Sequence, residues 1–133
     1  MKKRIAVVLS IIFILGMTLQ ASAAEKSVGL LYNCYLTIGA EENGMRVIFE
    51  TNSTTSADEI GCKDIVLQEK VNGDWRDIDI NGGYERNSSS YGASAVYTGA
   101  VEGRTYRAYC THYAKYGNTT KTLYNETGEM VYN

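Results

Sequence analysis

Proline is absent from all 133 residues, and histidine and tryptophan occur once each. Without proline, strand ends and turns fall to Gly, Asn, Asp and Ser. With His112 as the lone histidine, a catalytic triad is hard to assemble. Nucleophilic catalysis needs a base beside the nucleophile and a third group that orients the base. Three separated cysteines and one histidine also lack the paired short spacings of a zinc site. Paired carboxylates for glycosidic chemistry need a cleft holding them about 5–9 Å apart, and no such pair stands out. The expectation is therefore a chain with no catalytic residues, no metal and no cofactor.

A long hydrophobic run is missing too. Met1-Lys-Lys-Arg4 leads into the uncharged apolar run Ile5 to Met17 and then Ala21-Ser-Ala-Ala24. A basic start, a short apolar stretch and small residues at the cleavage distance describe a signal peptide over residues 1–24. The run falls short of the ~20 apolar residues that span a bilayer. Glu25 to Asn133 then make 109 residues, enough for one domain. Loss of Lys2, Lys3 and Arg4 leaves 10 basic against 15 acidic residues, a charge of −5. That balance argues against nucleic acid and against anionic membrane as partners. The expected product is soluble, secreted and extracellular.

What is present is a period of two. In Arg104 to Ala114 the positions Tyr106, Ala108, Cys110, His112 and Ala114 alternate with Arg107, Tyr109, Thr111 and Tyr113. That pattern describes a central strand with one inward and one outward row, and His112 on the inward row reads as a packing residue. Further strands are predicted at Val28 to Ile38, Met45 to Thr51, Cys62 to Val71, Trp75 to Ile80, Ala93 to Val101 and Lys121 to Tyr124. Gly39 to Gly44 and Val71-Asn-Gly-Asp74 are the hairpin turns. Asn52 to Ser56 reads as a polar loop, Asn81 to Gly92 as irregular, and the residues after Asn125 as a frayed end. About seven short antiparallel strands with no helical period predict an all-β sandwich.

Asp77-Ile-Asp79-Ile-Asn81-Gly82 matches the opening of an EF-hand calcium loop, but Ser88 stands where the closing Glu belongs. Strand alternation accounts for the run equally: Ile78 and Ile80 inward, Asp77 and Asp79 outward. Three cysteines in an exported chain suggest one disulfide and one spare thiol. In a sandwich, Cys34 and Cys110 lie mid-strand on inward registers of opposite sheets and Cys62 lies nearer a pole. Cys34–Cys110 is the expected bridge, over Cys34–Cys62 and Cys62–Cys110, and closing so long a loop would stabilise by about 3–5 kcal/mol.

The run Val101-Glu-Gly-Arg-Thr-Tyr106-Arg-Ala-Tyr-Cys110 looks like the corner before the sixth strand of fibronectin type III and immunoglobulin-like domains. There a Tyr at the strand start bonds back to the corner, although Tyr106 precedes Cys110 by four residues rather than two. Tyr35-Leu36, Asn43-Gly44, Asp58-Glu-Ile-Gly61, Ile65-Val-Leu67, Gly73-Asp-Trp75 and Gly103-Arg-Thr-Tyr106 through Thr111-His-Tyr-Ala114 resemble small secreted proteins of Gram-positive bacteria. The resemblance implies a compartment and a sandwich, with no activity attached, and it sets His112 where an inward aromatic is usual. The expected function is a non-enzymatic binding domain for a cell-surface, cell-wall or protein ligand. Arg107, Tyr109 and Tyr113 are its candidate ligand-binding residues, since Tyr and Arg are enriched at contact hot spots. The alternative is an exported toxin or bacteriocin-like effector.

Overall fold

A computed structural model describes residues 27–133, so the expected signal peptide lies outside the described residues. The described chain forms strands and turns with no helix. The strands are β1 (Tyr35–Glu41), β2 (Gly44–Val71), β3 (Asp74–Ile80), β4 (Gly83–Tyr97), β5 (Thr105–Tyr116), β6 (Thr119–Glu126) and β7 (Met130–Val131). All pairings are antiparallel, as the hairpin signals require.

The organising element is β2, 28 residues long. Its first half pairs with β1 on one side and β4 on the other, and its second half pairs with β5 opposite β4 and then β3. Two irregularities bend it: a register shift between Asn52 and Ala57 against β4, and another between Lys63 and Val66 against β5. Asp64, with φ of 51°, sits in the second and supplies the left-handed step that an extra residue needs. The sheet therefore curls until the inward rows of both halves meet. Met45, Val47 and Phe49 pack with Ile65 and Leu67, and with Leu36, Tyr106, Ala108 and Cys110. Each large apolar side chain buried there contributes about 1.5–3 kcal/mol.

Turn chemistry follows the sequence closely at one hairpin. Asn72 and Gly73 have φ of 52° and 85°, the doubly left-handed pair of a type I′ turn. The other turn is tighter than Gly39 to Gly44, because β1 continues to Glu41 and β2 resumes at Gly44.

Elsewhere the strands depart from the sequence pattern, each for a local reason. Val28 to Cys34 does not extend β1 into the core, because Asn33 at φ of 49° breaks the alternation. Val28, Leu30 and Tyr32 are consequently exposed, and this segment instead bridges Leu31 to Ser53. Asn52 to Ser56 and most of Asn81 to Gly92 are strand rather than loop. The polar residues of the second segment are tolerated because β4 pairs only with β2 and is largely solvent-facing, whereas in the first Ser53 is buried with its hydroxyl bonded to that of Tyr116. Asp77 and Asp79 lie in straight strand, with Ile78 and Ile80 against the core as alternation requires.

The end of the chain is held, not frayed. β7 pairs with Thr105 and Tyr106, and the Tyr132 ring packs edge-on against Tyr106 with centroids 6.4 Å apart. The Tyr132 hydroxyl also donates to the Glu41 carbonyl at 2.8 Å.

At the start of β5, Tyr106 is fully buried and its hydroxyl joins two elements. It accepts from the Val101 amide at 2.8 Å and donates to Glu69 Oε2 at 2.5 Å. Glu69 is itself buried and ion-paired with Arg76 and, at 3.3 Å, with Arg104. Burial, reinforced by the Glu69 carboxylate, pushes the Tyr106 hydroxyl up to about 12.

Candidate functional site

Outward residues of β3, β2, β5 and β6 form one face, fixed by register: Lys70 opposite Trp75, Gln68 opposite both Asp77 and Arg107, and Thr111 opposite Tyr124. Arg107 lies over the Trp75 ring, 3.9 Å from its centroid, and its Nε donates to Gln68 Oε1 at 2.7 Å. Gln68 Nε2 donates in turn to Asp77 at 2.7 Å, so the guanidinium is held flat on the indole by a hydrogen-bonded chain. Next to it, Tyr109 and Tyr124 lie 6.0 Å apart at a tilt of 32°, and Tyr124 is 60% exposed. A shallow groove of about 400 Å³ runs beside them, lined by Gln68, Arg107, Tyr109, Tyr124, Glu126 and Glu129 among others.

The three residues singled out from sequence do not share one fate. Arg107 and Tyr109 are half-buried members of this face. Tyr113 is on the same outward row but only 7% exposed. It lies across Gly61, its hydroxyl donates to Glu59 Oε2 at 2.8 Å, and Lys63 and Lys115 stand 5.4 and 5.8 Å from its ring. Burial and the Glu59 carboxylate push its hydroxyl up to about 12. The Tyr113 hydroxyl, with Lys115 and Arg86, holds Glu59 below the usual carboxylate range. Tyr113 is thus committed within the protein. Trp75 and Tyr124 take its place on the face; the signal for both was their outward register, visible only once β3 and β6 were aligned.

Beneath the opposite surface of β5 lies a second constellation. Cys62, Cys110 and His112 are all buried, and their sulfur and imidazole nitrogen atoms lie within 4.8 Å of one another. Cys62 pairs with His112 across the β2–β5 ladder, and Cys110 is two residues along the same inward row. His112 Nε2 is 3.5 Å from Cys110 Sγ and 3.4 Å from Asn125 Nδ2. On the other side Nδ1 is 2.6 Å from Thr51 Oγ1, and that hydroxyl donates to the Gly61 carbonyl at 3.0 Å. A hydroxyl has one hydrogen. Thr51 gives its hydrogen to Gly61, so His112 Nδ1 carries the ring proton and donates to Thr51 Oγ1. Nε2 is left with its lone pair toward the thiol and the Asn125 amide. The neighbouring Cys62 thiol favours ionisation of Cys110, whereas proximity to Cys110 and burial hold Cys62 protonated.

All three cysteines are free thiols, and the sulfur that meets Cys110 is Cys62 rather than Cys34. The expected Cys34–Cys110 bridge is not formed, because Cys34 Sγ is turned to the Asn52 main chain, 3.4 Å from its nitrogen and 3.6 Å from its oxygen. The packing role read for His112 agrees with its burial, but its partners are polar, which the sequence pattern did not convey. No protein-family model, curated protein or solved structure matches the chain.

Proposed function

We propose that the chain is a secreted, non-enzymatic binding module, an immunoglobulin or fibronectin type III-like sandwich that engages cell-wall glycan through the β3–β2–β5–β6 face. The sandwich reading is supported by the division of β2 between two pairing sets, β1 with its first half and β3 and β5 with its second, while β4 runs along both. It is supported again by the bond from the Val101 amide to the Tyr106 hydroxyl, a tyrosine tied to its own corner.

The observation that carries the binding reading is the exposed Tyr124 ring tilted against Tyr109 beside the groove. An amphipathic ring covers the apolar face of a sugar, while Gln68, Arg107 and Glu126 offer donors and acceptors to its hydroxyls. The groove is shallow and polar, which suits a chain lying across it. Cosedimentation with purified Gram-positive sacculi tests this. The protein should pellet with the sacculi, and a folded Tyr109→Ser/Tyr124→Ser variant should stay in solution. Equal pelleting of the variant, or none by the wild type, would sink the reading; killing of neighbouring bacteria without wall binding would instead favour an exported effector.

A further inference from the structure

We propose that Cys62, Cys110 and His112 constitute a buried zinc site, a function separate from the binding face. Two thiolates and one imidazole are a soft donor set that suits Zn²⁺. In a tetrahedral site with Zn–S of ~2.3 Å and Zn–N of ~2.0–2.1 Å, sulfur and nitrogen stand about 3.5 Å apart. Cys110 Sγ and His112 Nε2 stand 3.5 Å apart. All three donor atoms fall within 4.8 Å of one another, so a small inward movement of Cys62 closes the set.

The hydrogen bonds around the imidazole point the same way. Thr51 fixes the Nδ1–H tautomer, leaving the Nε2 lone pair facing the sulfurs, which is how a second shell prepares a metal-binding histidine. Binding releases two thiol protons to solvent, and the divalent ion then sits with two thiolates as a neutral unit that a buried site accommodates. A disulfide between the same two cysteines is disfavoured by register. Cys62 opposes His112, which makes Cys62 and Cys110 a diagonal pair. Diagonal Cβ atoms lie about 7 Å apart or somewhat less, against the ~3.5–4.5 Å that a disulfide requires.

The test uses protein recovered from the culture medium and kept reduced, titrated with ZnCl₂ by calorimetry and with CoCl₂ by absorption. One ion per chain is expected, with thiolate-to-cobalt charge transfer and a melting temperature that rises with added zinc. Cys62→Ser and Cys110→Ser should each lose the intense thiolate absorption, and Cys34→Ser should retain one-to-one binding. Thr51→Val, which leaves all ligands in place, should weaken affinity about 10–100-fold. Should the cysteine variants fail to fold, X-ray absorption of the zinc-loaded wild type decides, with two sulfurs and one imidazole expected around the ion. The proposal is overturned by a folded, reduced wild type that takes up no stoichiometric metal. A zinc shell without sulfur, or a Cys62–Cys110 disulfide in the protein as secreted, would overturn it equally.

Discussion

Replacing Tyr106 by Phe removes one oxygen from a site where that oxygen serves two partners. The ring stays, and with it the packing against Tyr132, so the change isolates the hydroxyl. Glu69 loses a donor at 2.5 Å while remaining buried, and the Val101 amide loses its acceptor at 2.8 Å. A hydrogen bond to a charged group is worth about 1.5–3 kcal/mol, and an orphaned, partly buried amide adds about 1 kcal/mol. Arg76 and Arg104 still neutralise the carboxylate, so its charge is not left bare. The expected loss is about 3 kcal/mol, which for a domain of this size lowers the melting temperature by roughly 10–20 °C. Urea unfolding followed by near-ultraviolet circular dichroism measures it, with Tyr124→Phe as an exposed control expected within about 0.5 kcal/mol of wild type. If Tyr106→Phe also falls within that margin, the corner does not brace Glu69 and the reasoning fails.

Stability should decline at alkaline pH. The Tyr106 and Tyr113 hydroxyls are both raised to about 12 from an ordinary value of 10, so their contribution is complete below pH 10 and lost as pH rises through 12. A Tyr106→Phe/Tyr113→Phe double variant should show a flatter stability profile over that window; an unchanged slope would refute the assignment. Gly61→Ala would set a Cβ 2.3 Å from the Gly83 carbonyl oxygen, so a loss of about 3 kcal/mol is expected in denaturant unfolding. A well-tolerated alanine would mean that β2 and β4 are not in this register. Deleting residues 130–133 removes the Tyr132 ring contact and its bond to Glu41, together worth about 1–3 kcal/mol. Thermal melting checks it, and no change would show the end of the chain to be loose after all.

Alternation revealed the strands wherever one face is apolar: Thr105 to Ala114, Met45 to Thr51 and Trp75 to Ile80 all lie in strands. It failed where strands are polar on both faces, as through Asn52 to Ser56 and Gly83 to Gly92, since ladder hydrogen bonds leave no mark on composition. It also misled at Val28 to Tyr32, where the period of two continues but Asn33 turns the backbone out of register. Arg107 and Tyr109 were legible on the surface because outward placement follows from strand parity. Tyr113 obeys the same parity, but its burial depends on Gly61 opposite and on Glu59, a cross-strand circumstance absent from its own strand. The thiol–imidazole cluster was half legible. Cys110 and His112 two apart on one face were visible, but Cys62 reaches them only through the β2–β5 pairing and Thr51 only through the curl of β2.

The central claim, that the β3–β2–β5–β6 face is the contact surface, is tested most directly by mapping amide chemical shifts as solubilised cell-wall glycan is added to isotope-labelled protein. Perturbations are expected to concentrate at Gln68, Trp75, Arg107, Tyr109, Tyr124 and Glu126, and to vanish in the Tyr109→Ser/Tyr124→Ser variant. Shifts confined to β1 and β4, or a spectrum unmoved at saturating glycan, would contradict it.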